Sequence, residues 1–198
     1  MTPKLILTGF MATGKSTVGP MVAKRLGWHF LDSDAEIIAR AGKPIAKIFT
    51  DDGEAKFRAL EREVIAYLAD VRRRCPHCHG LQPEVISTGG GVLVDRANCD
   101  ALKRVGVVVC LTARPEIIAA RVDRSKVLRP KLKQGGKATL VRVRELMDER
   151  REAYARADLQ IDSSELTVEQ AAELVLEGFA ACASRRGAPA ANGPVAST

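Results

Sequence analysis

Aromatic residues are scarce in this chain, long apolar runs are missing, and the cysteines do not form an even set. Each shortage removes a class of protein. Aromatics make up 4% of the 198 residues, so the core has to be assembled mostly from Leu, Val, Ile and Ala. No apolar stretch approaches the roughly 20 residues that cross a bilayer, so no membrane partner is expected. Met1 to Gly9 is too short, and runs too soon into a glycine turn, to read as a signal peptide. Cys75, Cys78, Cys99, Cys110 and Cys182 are odd in number, and Cys110 lies in an apolar run. They read as reduced thiols of a cytoplasmic protein, not as a disulfide framework. There is no internal repeat and no RNA- or DNA-binding motif, so no nucleic-acid partner is expected.

What is present describes one globular domain. Apolar residues are 46% and charged residues 28% of the chain, and a domain of this length buries enough surface to need no staples. The net charge of +7 and pI of about 9.4 favour anionic partners, which leaves nucleotides and phosphorylated metabolites once nucleic acid and membrane are set aside. Residues 184–198 are Ala, Gly, Pro, Arg and Ser with little else and read as a disordered tail. The domain is then 1–183, acting as a monomer.

Short apolar runs alternate with amphipathic stretches. Lys4 to Thr8, Trp28 to Leu31, Val85 to Thr88, Val105 to Leu111 and Leu159 to Asp162 read as strands. Helices are expected over Lys15 to Leu26, from Ser33 or Asp34 as cap to about Ala41, and over Gly53 to about Ala69. Others are expected over Asp95 to Lys103, Arg114 to Val122, Leu140 to Tyr154 and Val168 to about Ala183. Alternation of this kind implies a parallel sheet covered on both faces, with ligands at the carboxyl ends of its strands. Residues 125–138 are basic, with glycines and a proline and no apolar period, and read as a mobile lid.

Three strand ends carry chemistry. Gly9 to Ser16 matches GxxxxGK[ST] in full, after a strand and before a helix, which is the context this phosphate loop requires. Gly9 and Gly14 let the backbone curl, Lys15 reaches the β- and γ-phosphates, and the Ser16 hydroxyl ligates Mg²⁺. Asp32-Ser33-Asp34 ends the second strand. Asp32 could hold Mg²⁺ and Asp34 could take a proton from an acceptor hydroxyl, or either could simply cap the next helix. Gly89-Gly90-Gly91 ends the third. It is either a tight turn or bare backbone onto which a substrate packs. Arg58 could clamp a carboxylate with its planar fork. Arg129 in the lid, or Arg150 on the helix after it, could stabilise charge on a transferring phosphoryl group.

In order, GFMATGKSTVG, FLDSDAEI, FTDDGEAKFRALE, STGGGVL, VLRP and ERREAY resemble the segments of the shikimate kinase family. The resemblance runs from about Lys4 to Ala183. It implies a three-layer α/β/α P-loop fold with a five-stranded parallel sheet in the order 2-3-1-4-5. It also implies transfer of the γ-phosphoryl of ATP to the 3-hydroxyl of shikimate, in aromatic amino acid biosynthesis. Asp34, Arg58, Gly90 and Arg150 would contact shikimate, together with the neighbouring Gly89 and Gly91, and Arg58 and Arg150 would hold its carboxylate. Ala12, Thr13, Gly14, Lys15, Ser16 and Thr17 would hold ATP, with Ser16 and Asp32 serving Mg²⁺. Arg129 would meet the phosphates, and Arg121 matches an arginine that packs on adenine. The catalytic set would be Lys15, Asp34 and Arg129.

Two departures from the family pattern stand out. The lid reads Arg129-Pro130-Lys131-Leu132 where Arg-Pro-Leu-Leu is usual. An insertion at about 71–82 carries Cys75, Cys78 and His79, which have the ligand types for zinc; redox chemistry and an exposed loop are the other readings, and the family chemistry does not need the insertion. Two other functions stay open at this level. One is a kinase for a different polyhydroxy acid such as gluconate. The other is a regulatory module that binds ATP or nucleic acid without transferring a phosphoryl group.

Overall fold

The computed structural model describes residues 4–70, 83–124 and 139–186. The lid with Arg129, the insertion with Cys75, Cys78 and His79, and the end of the tail lie outside the described residues. β1 (Lys4–Gly9) leads through the phosphate loop into α1 (Lys15–Leu26). β2 (His29–Asp32) runs directly into α2 (Ser33–Ala41). A short α3 (Ile45–Lys47) and a π-turn, Ile48–Asp52, precede the long α4 (Gly53–Leu68). β3 (Glu84–Ser87) is followed by the glycine turn and a 3₁₀ turn, Val92–Val94, and then by α5 (Arg96–Val105) and β4 (Gly106–Thr112). α6 (Pro115–Arg124), α7 (Thr139–Glu149), α8 (Arg151–Ala155), β5 (Leu159–Asp162) and α9 (Val168–Arg185) complete the described chain.

All five strands are parallel and lie in the order β2-β3-β1-β4-β5, as the resemblance implies. A parallel sheet covered on both faces needs apolar residues on both, which is why β1 and β4 read as unbroken apolar runs. Alternate residues divide between the layers. Leu5 and Leu7 pack with Val18 and Val22 of α1 and with Val175 and Phe179 of α9. Ile6 packs with Val64, Ile65 and Leu68 of α4 and Leu102 of α5. Leu5, Ile6 and Leu7 are fully buried. Burial of side chains this size stabilises by about 1.5–3 kcal/mol each. A third cluster joins Phe10 and Cys110 to Ile118 of α6, Leu146 of α7 and Tyr154 of α8. No helix among the described residues is long and apolar enough to cross a membrane.

Several boundaries move by a residue or two: β3 lies one residue earlier than expected, and Val105, expected in β4, ends α5. Four departures have a local reason. β2 sits one residue later than expected, so Asp32 ends the strand and also caps α2, in place of Ser33 or Asp34. The helix expected over Leu140 to Tyr154 is two helices, broken at Arg150, whose φ of −107° and ψ of 2° are not helical. Neither glycine nor proline marks that break; the side chains of Arg150 and Tyr154 turn there toward the glycine turn. α9 continues past Ala183 because Arg186 anchors its end, donating to the Lys103 and Gly106 carbonyls at 3.0 and 2.8 Å and pairing with Asp158 at 2.6 Å. Residues 45–52, which carry no clear period, are pulled into helical turns by burial of Ile48 and by stacking of Phe49 on Phe57 at 4.7 Å.

Candidate active site

The phosphate loop starts from a glycine that nothing else could replace. Gly9 has φ of 127°, and a Cβ there would lie 2.0 Å from the backbone oxygen of Leu111 on β4. Ala12, with φ of 61°, is the sole non-glycine with positive φ among the described residues. Its carbonyl accepts from Arg121 Nη1 at 3.2 Å, while Arg121 Nη2 donates to the Ser163 carbonyl at 3.0 Å. The buried Ser163 hydroxyl lies 2.9 Å from both the Thr13 and the Thr112 carbonyl oxygens. These ties hold the carbonyls of a bend that suits a loop offering its N–H groups to phosphate. Lys15 donates to the Gly9 and Phe10 carbonyls at 2.7 and 2.8 Å, placing its ammonium within the loop. α1 begins there with no acidic residue in its first turn, so its positive dipole end is unopposed within the helix.

The Asp-Ser-Asp segment divides its labour. Asp32 Oδ1 accepts from the Asp34 and Ala35 N–H groups at 2.8 and 3.4 Å. Ser33 is fully buried, and its hydroxyl oxygen accepts from Gly89 N–H at 3.1 Å. That bond ties the end of β2 to the turn after β3.

None of Gly89, Gly90 and Gly91 has a positive φ, so these glycines are needed for space and not for backbone freedom. A Cβ on Gly89 would sit 2.8 Å from Asp34 Oδ1. On Gly90 it would sit 3.1 Å from the Gly9 carbonyl oxygen and 3.4 Å from Arg150 Nη1. On Gly91 it would sit 2.8 Å from Arg58 Nη1. The three missing side chains therefore face the candidate base, the phosphate loop and the candidate clamp in turn.

Behind the turn lies a charged cluster. Arg58 pairs with Glu61 at 2.7 Å and with Glu54 at 3.2 Å. Glu61 is 2% exposed. Burial raises its carboxyl above the usual range, and the positive charges of Arg58 and Arg150 oppose that rise. Arg150 is buried, donates to the Gly90 carbonyl at 3.1 Å and lies over the Phe10 ring. The Tyr154 phenol donates to the same carbonyl at 2.6 Å. Burial pushes that phenol up to about 12, so it stays protonated and remains a donor.

A cleft of about 490 Å³ gathers most of the residues singled out in the sequence. The loop from Ala12 to Thr17, Asp32, Asp34, Gly89, Gly90 and Arg121 all line it. Arg58, Gly91 and Arg150 do not; they reach it through the glycine turn. Arg129 lies outside the described residues. Ser16 and Asp32 give the cleft one hydroxyl and one carboxylate oxygen donor, and a hard cation that keeps several waters, such as Mg²⁺, fits that pair. The sequence reading missed four residues. Ser33 reads in sequence only as a cap, and Glu61 and Tyr154 stand one turn from Arg58 and Arg150, at i+3 and i+4. Ser163 had no signal, since only the fold carries it to Thr13.

A family model described as shikimate kinase matches residues 11–179. A curated shikimate kinase of Geobacter sulfurreducens is 44% identical over 165 residues, which covers 83% of this chain and 84% of that one. A shikimate kinase of Caldanaerobacter subterraneus subsp. tengcongensis is 38% identical over 175 residues, covering 88% of this chain and 95% of that one. Among solved structures, shikimate kinase from Acinetobacter baumannii in complex with shikimate superposes with a TM-score of 0.78 at 32% identity, over 89% of this chain and 92% of that one.

Proposed function

The chain belongs to the shikimate kinase family, and we propose that it transfers the γ-phosphoryl of ATP to the 3-hydroxyl of shikimate. One observation supports this most: the glycine turn of β3 stands against Asp34, the phosphate loop and Arg58 at once. A nucleotide cradle and a site for a carboxylated acceptor are thereby set on two sides of one three-residue turn.

In this reading Ala12 to Thr17 hold the triphosphate, with Lys15 on its β- and γ-oxygens. Arg121 serves the nucleotide side. Asp34 accepts a hydrogen bond from the acceptor hydroxyl, aligns its oxygen on the γ-phosphorus and receives its proton as the new bond forms. Arg58 and Arg150 hold the acceptor carboxylate, and Gly89 to Gly91 let the ring approach the backbone. Ser16 and Asp32 would hold Mg²⁺, which when bound would neutralise charge on the phosphate oxygens. Arg129 would add positive charge from the lid and complete a site from which water is excluded. All these groups come from one chain, so a monomer suffices. The free thiols Cys99, Cys110 and Cys182 fit a cytoplasmic enzyme.

The test is an ADP-release assay coupled across a panel of acids. Shikimate should stimulate release strongly, while gluconate and other polyhydroxy acids should not. Turnover with gluconate but not shikimate would overturn the acceptor assignment. Salt-sensitive binding of nucleic acid without acceptor-stimulated release would overturn the whole reading.

A further inference from the structure

The glycine turn that joins the two halves of the site has no side chain of its own to hold it. Three successive glycines are the most conformationally free segment a chain can have. Here they take none of the left-handed conformations open to them. The Val92 N–H closes the turn on the Gly89 carbonyl at 3.2 Å, and two hydroxyls bind it from outside. Ser33 Oγ, fully buried, accepts from Gly89 N–H at 3.1 Å. Tyr154 OH, 7% exposed as a residue, donates to the Gly90 carbonyl at 2.6 Å, beside the 3.1 Å bond from Arg150. The first hydroxyl belongs to the segment that carries Asp34. The second belongs to α8, just past the helix break at Arg150. Neither residue lines the cleft.

We propose that Ser33 and Tyr154 are positioning residues for the phosphoryl acceptor, fixing Gly89 by its N–H and Gly90 by its carbonyl against Asp34 and the phosphate loop without touching either substrate. The inference rests on the reading of the glycine turn as the acceptor's floor. Each bond is the kind whose loss is felt through geometry: the part-buried backbone group loses that partner and the turn relaxes toward other glycine conformations. Because Ser33 and Tyr154 act on the same two residues from opposite ends, losing both should be worse than losing either. The nucleotide side has its own supports in Arg121 and Ser163 and should be spared.

The experiment measures kcat and separate KM values for shikimate and ATP in Ser33→Ala, Tyr154→Phe, the double variant and Gly90→Ala. Thermal unfolding is recorded for each. Tyr154→Phe and Ser33→Ala should each raise the shikimate KM about fivefold to tenfold, as expected for one net hydrogen bond, with the ATP KM moved by less than about twofold. The double variant should exceed either single one. A merely structural role would lower the melting temperature and leave the ratio of the two KM values unchanged, and that result overturns the proposal. If Ser33→Ala does not fold, Tyr154→Phe alone decides by the same ratio. Gly90→Ala separates the two layers of the argument. If it leaves the shikimate KM unchanged, the floor reading fails and takes the positioning roles with it. If it raises that KM while the hydroxyl variants do not, the positioning inference alone is wrong.

Discussion

Arg58 carries two loads, and they can be pulled apart. As a clamp it should grip the acceptor carboxylate; as a neighbour it neutralises Glu61, which is 2% exposed and pairs with it at 2.7 Å. Removing one partner of a buried pair costs about 3–5 kcal/mol because the other charge is left uncompensated. The Arg58 side chain is 28% exposed, so solvent already screens part of the pair. The expected loss for Arg58→Ala is therefore smaller, about 1–3 kcal/mol, or roughly 3–10 °C in Tm for a domain of this size. Its sign with pH follows from Glu61. A carboxyl whose folded-state pKa lies above its unfolded value weakens the fold when ionised, so its penalty is fully present at high pH and fades as pH falls through the raised value. Without Arg58, the largest opposing charge is gone, so the Glu61 carboxyl rises further. The stability deficit of the variant should be largest near neutral pH and shrink toward the ordinary glutamate range. Arg58→Ala/Glu61→Gln removes the orphaned charge and should recover most of the Tm. It should not recover the clamp. A lost hydrogen bond to a charged group is worth about 1.5–3 kcal/mol, so the shikimate KM should stay raised roughly ten- to hundredfold in both variants. Thermal unfolding from pH 5 to 8 and two-substrate kinetics read these outcomes. Equal destabilisation of the single and double variants would refute the charge argument, and an unchanged shikimate KM would refute the clamp.

Three further outcomes follow from the cleft. Lys15→Ala should abolish shikimate-stimulated ADP release, since the ammonium held within the loop by the Gly9 and Phe10 carbonyls is the group that would meet the β- and γ-phosphates; release that survives the substitution would refute that role. Asp34→Asn should lower kcat by about 10²–10⁴-fold, the usual range for a lost general base, with the ATP KM unchanged; a parallel rise in both KM values would point to a structural role instead. Ser163→Ala should raise the ATP KM several-fold and leave the shikimate KM alone, because the hydroxyl supports the Thr13 carbonyl and reaches nothing on the acceptor side. An effect on shikimate alone would contradict it.

The difference between what the sequence disclosed and what it hid is one of distance along the chain. The phosphate loop was legible because its parts are contiguous: a strand, a curl built on Gly9 and Gly14, and a helix start at Lys15 are each enforced by neighbours in sequence. The strand order followed from the family resemblance, not from composition or spacing. The break at Arg150 could not be read, since no glycine or proline causes it. It arises where Arg150 and Tyr154 turn to one carbonyl about 60 residues away. Asp32 as the cap of α2 depended on where β2 ends, and a one-residue shift in that strand moved the role from Ser33 or Asp34. Ser33, turned inward by the same shift, then became available to Gly89.

This division has a consequence for how acceptor and nucleotide recognition can vary. The nucleotide side is made of backbone in a conformation that the sheet itself imposes: a Cβ on Gly9 would strike β4, and the Ala12 and Thr13 carbonyls are tied to α6 and to the residue after β5. It cannot be altered without disturbing the core. The acceptor side is made of side chains from α2, α4 and the α7–α8 break that converge on a turn of bare glycines. Changing Arg58 or Arg150 leaves every sheet bond in place. On the proposed assignment, the shape and charge of the acceptor pocket can therefore change while the ATP site stays constant, and ATP and acceptor should bind as two energetically separable halves. Were ATP affinity to fall in step with shikimate affinity across the Arg58, Tyr154 and Gly90 variants, the two halves would be one coupled unit, and the glycine turn would be a structural element of the phosphate loop.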